Sequence, residues 1–289
     1  LEQQEQEEKN KRRLGLGFTG LADMLAQLQV RYGSHEAVRI AEEVTRCICF
    51  TAYEESCQLA LEAEPFPLFN ADQYLAGTSF AATYLPEYIK EQIRSGGIRN
   101  SLLLTVAPTG TGSVLYGNVS SGGEPVFLHQ TERRVLKPTS GFKDEWEKYI
   151  EWGYNAKLYH SIFGEFAELP SYMVTAEDLS VEDHVVMQAA SQRWIDASMS
   201  KTINVPKDYP YESFVKVYEL AYQLGCKGCT TYRPSDVRGS VLSKPGETAT
   251  AAVATKLAER DDVLEGKTYK IKWPSLESAL YLTVNHSTD

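Results

Sequence analysis

The 289-residue sequence has no uninterrupted apolar run of about 18 residues, the length a membrane-spanning helix needs. Its first residues, LEQQEQEEKNKRR, are polar and charged, which suits neither a signal peptide nor a membrane anchor, so the expected compartment is the cytoplasm. Cysteine is sparse and odd in number, five in all (Cys47, Cys49, Cys57, Cys226 and Cys229), which argues against a secreted disulfide framework and for reduced thiols. Positive charge is in deficit, with 29 Lys and Arg against 39 Asp and Glu and a formal net charge of −10. A broad basic surface for polymeric nucleic acid is thereby excluded, and any bound anion needs a local cradle. What is present, 43% hydrophobic and 24% charged residues, is the composition of a soluble globular protein with room for one large core or two ordinary domains.

Helical periodicity dominates the chain. Phe18, Leu21, Leu25 and Leu28 recur at helical spacing up to Gly33. A longer helix is predicted from the N-cap residue Ser34, with Ile40, Val44, Cys47, Ile48, Thr51 and Leu59 on its apolar side, until Pro65 stops it. Pro86 to Ser95 reads as another helix, broken by Gly96 and Gly97. Residues 101–106, SLLLTV, form the continuous apolar run of a strand buried on both faces, which suggests a parallel sheet. Residues 144–163 place Trp146, Tyr149, Ile150, Tyr154 and Leu158 at helical intervals, and Ser180 with Asp183 reads as a capping box opening a helix that runs to about Asp196. Residues 199–205 (MSKTINV), 211–224 and 227–233 (KGCTTYR) read as strand, helix and strand, a βαβ unit whose helix ends at Gly225. Residues 245–255, PGETATAAVAT, have linker composition, and TYKIKW and ALYLTV beyond them are strand patterns of a small β module.

The thiols offer little chemistry by their spacing. On a helix Cys47 and Cys49 point about 200° apart, and Cys49 and Cys57 share a face but lie roughly 12 Å apart, beyond disulfide reach. All three read as buried small hydrophobes. Cys226 and Cys229 form a C-x-x-C, but a strand sends positions three apart to opposite faces, and no second ligand pair follows at zinc-finger spacing. The loop APTGTGS at residues 107–113 offers more. A strand ending in a glycine-containing turn can aim consecutive backbone N–H groups at an anion, and glycine lets a phosphate approach closely. Thr109, Thr111 and Ser113 add hydroxyls beside Gly110 and Gly112, and a helix beginning near Ser113 would add its dipole. The loop is neither a Walker sequence nor GxGxxG, and by composition a plain surface turn and a phosphate cradle both stay open.

The wider stretch from Arg99 to Phe127, RNSLLLTVAPTGTGSVLYGNVSSGGEPVF, resembles the substrate-phosphate segment of ribonucleotide reductases, above all the adenosylcobalamin-dependent class. The Arg-Asn-Ser start, the Ala-Pro-Thr-Gly-Thr loop and the Ser-x-Gly-x-Glu-Pro continuation (Ser120, Gly122, Glu124, Pro125) carry the match. RRLGLGFTGLADML, ASMSKTINVP and AYQLGCKGCTTYR resemble three further segments of the family, so the likeness spans roughly residues 12 to 240. It implies an α/β fold, part of a ten-stranded α/β barrel with many helices at residues 1–240, then a linker at 241–258 and the start of a small C-terminal β module at 259–289. It also implies that Thr109, Gly110, Thr111, Gly112 and Ser113 bind the substrate phosphates and that adenosylcobalamin serves the complete enzyme; between diphosphate and triphosphate substrates the sequence does not decide, although the loop and the C-terminal module favour a ribonucleoside diphosphate.

In that family a thiyl radical on a finger-loop cysteine abstracts a substrate hydrogen, assisted by Asn and Glu, while two further cysteines reduce the ribose. No Asn-x-Cys-x-Glu pattern occurs here and none of the five cysteines maps onto those positions, so the resemblance places the catalytic cysteines outside this chain. No catalytic residue and no metal site are assigned within it. The adjacent tyrosines of reductases that receive their radical from a separate subunit are replaced by Thr230 and Thr231, which favours a radical generated locally, as by cobalamin cleavage. The expected partner is the missing N-terminal half of the barrel or a chain supplying it, and a partial barrel with uncovered edges is expected to form a homo-oligomer. The competing reading is a non-catalytic nucleotide-binding or assembly module derived from the same fold. A finger loop with Cys, Asn and Glu encoded upstream of Leu1 separates the two.

Overall fold

In the computed structural model, which describes residues 2–136, 146–234, 266–271 and 280–285, capping and periodicity set most of the elements. The chain divides into two compact units, one holding residues 2–234 and the other the hairpin near the C-terminus. In the first unit α1 (Glu2–Lys11) is exposed and laced by Lys9–Glu5 and Lys11–Glu7 pairs. Next come α2 (Leu21–Gln27), α3 (His35–Ala63), the short α4 (Ala71–Tyr74) and α5 (Phe80–Tyr84), then α6 (Glu87–Gly96) and α7 (Gly110–Leu115). After these follow β1 (Gln130–Leu136), β2 (Trp146–Trp152), α8 (Tyr154–Phe163), α9 (Val181–Gln192), β3 (Thr202–Asn204), α10 (Tyr211–Gln223) and β4 (Thr230–Tyr232). In the second unit β5 (Gly266–Ile271) and β6 (Leu280–Asn285) pair antiparallel, where two strands were expected. The linker expected at 241–258 lies outside the described residues.

Ser34 accepts a hydrogen bond from Ala37 N at 3.1 Å and opens α3, as its position in the sequence predicts. The helix buries a different face from the expected one. Ala37, Ala41, Thr45, Cys49, Tyr53, Cys57 and Ala60 face inward, whereas Cys47 and Thr51 are exposed and Leu59 is 37% exposed. Small side chains along much of this face let α3 pack closely against α9 and α6, and that packing outweighs the larger aliphatics on its flank. Cys47 is therefore not the buried hydrophobe it was read as, although Cys49 and Cys57 are. A second correction concerns residues 146–152, expected in a helix from 144 to 163. They form β2, which pairs antiparallel with β1 from Gln130↔Trp152 to Leu136↔Trp146, and helix α8 begins only after Gly153.

Four extended segments lie side by side in parallel. Residues 14–16 pair with 102–104 through Leu14 N to Leu102 O (2.9 Å) and Thr105 N to Leu16 O (3.0 Å). Val106 pairs with Met199 on its other side through Val106 N to Ser198 O (3.1 Å), and the chain continues into β3, which pairs parallel with β4 across the α10 crossover. The expected βαβ unit is thus present. The run 101–106 forms isolated bridges rather than a ladder because a side chain takes over its amides. Asp196, 7% exposed, accepts from Leu103 N, Leu104 N and Ala197 N at 2.7–2.8 Å and from the Tyr53 hydroxyl at 2.8 Å. Around it Cys49, Tyr53, Ile89, Ile93, Ile98, Leu103, Leu104, Ile195 and Met199 form the main core, and Val181, Val185, Ile203, Val205, Val217 and Ala221 form a second core under α9 and α10. No helix among the described residues is long and apolar enough to cross a membrane.

Replacing Asp196 with Ala strands two buried amides and the Tyr53 hydroxyl, and is expected to lower unfolding stability by more than about 3 kcal/mol in urea titrations. Cys47→Ala, on the exposed face of α3, is expected to stay within about 0.5 kcal/mol of the parent.

Candidate functional site

The apolar segment 101–106 delivers the chain to Ala107 and Pro108, and Thr109 then turns it with φ 43° and ψ 24°. A non-glycine residue in the left-handed region is strained, and such strain persists only where the surroundings hold it. Here they do. Thr109 Oγ1 accepts from Gly122 N at 2.9 Å and lies 3.0 Å from Thr19 Oγ1 and 3.2 Å from Ser113 Oγ, while Thr19 and Ser113 are 3.0 Å apart. The Thr19 hydroxyl donates to Ser120 O at 2.8 Å, which leaves the Thr109 and Ser113 hydroxyl protons to the ring itself or to a ligand.

The five predicted residues therefore divide. Thr109 and Ser113 meet in the hydroxyl ring, and Ser113, only 2% exposed, fixes the loop from inside. Gly110 and Thr111 are exposed on the first turn of α7, which starts at Gly110 rather than near Ser113. A helix start leaves the amides of Gly110, Thr111 and Gly112 without intrahelical acceptors. A Cβ at Gly110 or Gly112 would meet nothing within 4 Å, and neither residue has positive φ, so backbone conformation does not demand glycine at either position.

Behind the loop, the turn 120–124 (SSGGE) is held at almost every residue. Ser120 N donates to Asp23 Oδ2 (2.5 Å), Ser120 Oγ accepts from Ala22 N (3.2 Å) at the start of α2, and Ser120 O accepts from Gly20 N (2.7 Å). Gly122 has φ 52°, and a Cβ there would lie 2.7 Å from Ala107 O, so this close approach to the loop requires glycine. Gly123 O accepts from the buried Tyr32 hydroxyl at 2.6 Å. Glu124 reaches across to the strand side, where Oε1 accepts from Thr202 N (2.6 Å) and Oε2 from Lys201 Nζ (2.9 Å).

Lys201 is 1% exposed and its ammonium uses all three donors, the other two going to His184 Nδ1 (3.0 Å) and Thr202 O (2.9 Å). Burial pushes the Lys201 ammonium down from its ordinary value, opposed by Glu124. Burial, then the Lys201 charge, hold His184 down to about 3, with the Ala176 backbone partly opposing. A neutral imidazole that accepts at Nδ1 carries its proton on Nε2. Burial raises the Asp23 carboxyl, against the hydrogen bonds from Ser120.

The sequence reading missed Thr19, Tyr32, His184 and Lys201. A lysine inside the apolar strand pattern MSKTINV was the available signal. Burial pushes Cys49 to about 12 and Cys57 and Cys226 to about 11, and raises Cys229, the opposite of an activated thiolate.

Fold and loop together define a parallel α/β domain in which a buried strand runs into a glycine loop and a helix start. Residues 1–232 match the family described as ribonucleotide reductase, barrel domain, and the chain belongs to that family. It is 35% identical over 267 residues to the vitamin B12-dependent ribonucleoside-diphosphate reductase of Thermoplasma acidophilum, covering 88% of this chain and 32% of that protein. It is 31% identical over 270 residues to the enzyme of that name in Mycobacterium tuberculosis, covering 88% and 35%. To the ribonucleoside-diphosphate reductase large chain of Encephalitozoon cuniculi it is 25% identical over 237 residues, covering 75% and 31%. The chain spans about a third of the length of the curated relatives it matches.

His184 sets a pH dependence. Its folded value lies below its unfolded one, so the unfolded state takes up the proton first, and stability present above pH 6.5 is lost as pH falls toward about 3. Urea titrations are expected to show a component of about 1.4 kcal/mol per pH unit over that window, absent in His184→Asn, which keeps an acceptor for Lys201.

Proposed function

We propose that this chain supplies the substrate-phosphate part of an adenosylcobalamin-dependent ribonucleoside-diphosphate reductase, with the catalytic cysteines outside it. Membership of the barrel-domain family and the relatives named above support this reading, and the loop at Thr109 carries it: exposed first-turn amides, glycines with open space above them, and a strained residue held by a ring of hydroxyls. In the complete enzyme the amides of Gly110, Thr111 and Gly112 donate to phosphate oxygens, the Thr111 hydroxyl adds a further bond, and Thr109 and Ser113 keep the turn in shape. The four parallel segments then belong to a ten-stranded α/β barrel completed by its N-terminal half, from the same polypeptide or a partner. Among the described residues β4 pairs with β3 alone, which suits such completion and a homo-oligomeric enzyme.

Adenosylcobalamin would supply the radical of the complete enzyme. Neither half-buried His129, whose Nε2 lies 2.9 Å from Met173 O, nor buried His184, whose Nδ1 accepts from Lys201, is assigned as a cobalt ligand. No step is therefore assigned to the cofactor here.

Calorimetry with cytidine diphosphate tests the loop. Thr111→Val removes one hydrogen bond to a charged group, about 1.5 to 3 kcal/mol, and is expected to weaken binding about ten- to a hundredfold. The Gly110→Val, Gly112→Val double variant places its side chains in open space, so it is expected to fold, as circular dichroism would show, and to lose more affinity than Thr111→Val. Unchanged affinity in the folded double variant would remove the loop from the site.

A further inference from the structure

Lys201 stands apart from the loop and touches none of its residues through a hydrogen bond, yet it anchors the structure that holds the loop. A fully buried ammonium is costly unless every donor is satisfied, and a buried ion pair is often matched in stability by apolar groups of similar volume. Stability alone therefore does not account for this arrangement. Position does more. Lys201 sits immediately before β3, and its partner Glu124 closes the turn whose Gly122 N–H, two residues earlier, bonds Thr109. The path Lys201, Glu124, Gly122, Thr109 runs from the β3–β4 strand pair to the start of α7. The remaining contacts keep the ammonium from choosing another partner: His184 Nδ1 and Thr202 O take its other donors, and the Tyr32 ring, whose hydroxyl holds Gly123 O, lies 5.9 Å away.

We infer that Lys201 is a positioning residue for phosphate binding: paired with Glu124, it fixes the turn 120–124 against β3 and so holds Thr109 in the strained conformation that presents the amides of Gly110, Thr111 and Gly112. The positioning role rests on the phosphate reading of the loop; the strut itself does not. Geometry assigns the parts distinct tasks. Glu124 Oε1 keeps the turn in register with Thr202 N, and Oε2 takes the ammonium, so both carboxylate oxygens are used along one strand. Gly122 is then confined, because its amide bonds Thr109 Oγ1 while a Cβ at this residue would lie 2.7 Å from Ala107 O.

The test uses the 289-residue chain and two variants. Lys201→Met leaves a carboxylate unpaired against neutral His184 and is expected to be strongly destabilised. The double variant Lys201→Met, Glu124→Gln removes both charges at similar volume and is expected to keep its urea midpoint near that of the parent. In it, amide exchange at Gly122 is expected to quicken at least about tenfold, and cytidine diphosphate affinity to fall about tenfold, since the loop is no longer held in its binding conformation. Gly122 exchange as slow as in the parent would overturn the strut. Faster exchange with unchanged affinity would overturn the positioning role. A parent chain that fails to bind cytidine diphosphate would sink the phosphate reading and the positioning role with it, and the exchange arm would still decide the strut.

Discussion

The pair formed by buried Lys201 and partly buried Glu124 is the constraint on which the candidate site depends. It joins the segment that becomes β3 to the turn 120–124, and that turn is in contact with α2 through Asp23 and Ser120, with Tyr32 through Gly123, and with the loop through Gly122 and Thr109. Each connection satisfies a polar group that the fold removes from water, so none is released without leaving a buried donor or acceptor unpaired. A turn held in this way cannot shift at one residue alone. The strain at Thr109 is the visible consequence, because a left-handed threonine needs surroundings that outweigh its local cost.

A similar logic governs the sheet. The Asp196 carboxylate takes the amides of Leu103 and Leu104, and Lys227 places its ammonium on Asp196 O at 2.5 Å and Ala197 O at 2.6 Å. Side chains thus fix the segment that leads into the loop, which regular strand pairing would have left with more freedom to slide. The loop is held from both ends, by Asp196 where the strand approaches it and by the turn 120–124 behind it. Gly110 and Thr111, exposed at the start of α7, are free of such engagement and are the part left open to a ligand.

Much of the fold could be read from local chemistry. Ser34 and Ser180 announced their helices because a cap is a short-range device; Ser180 accepts from Asp183 N and Asp183 answers to Ser180 N. Gly225, with φ 80°, ended α10, and the parallel pairing of β3 and β4 followed from the strand, helix and strand pattern. Residues 146–152 were misread because Trp146 and Ile150, four apart, satisfy both a helical and an alternating period, Tyr149 fits the helical one alone, and the partner that decides, the polar segment QTERRVL, carries little strand signal of its own. The inward face of α3 was misread because its buried stripe, Tyr53 apart, is made of alanines, threonine, serine and cysteines, which hydrophobic periodicity undervalues. In the site, the motif residues Thr109 to Ser113 and Glu124 could be found in sequence. Lys201 showed only as a lysine inside an apolar strand pattern, and Thr19, Tyr32 and His184 did not show, since the contacts of Thr19, Tyr32 and Lys201 with the loop and its supporting turn span 77 to 91 residues of chain.

The claim that the turn 120–124 opens only with the core is tested most directly by native-state hydrogen exchange across low denaturant concentrations. The account predicts that the amides of Ser120, Gly122 and Thr202 show the same opening free energy as that of Val106 in the core, merging with global unfolding. Ser120 and Gly122 exchanging through a low-energy local opening while Val106 stays protected would contradict it.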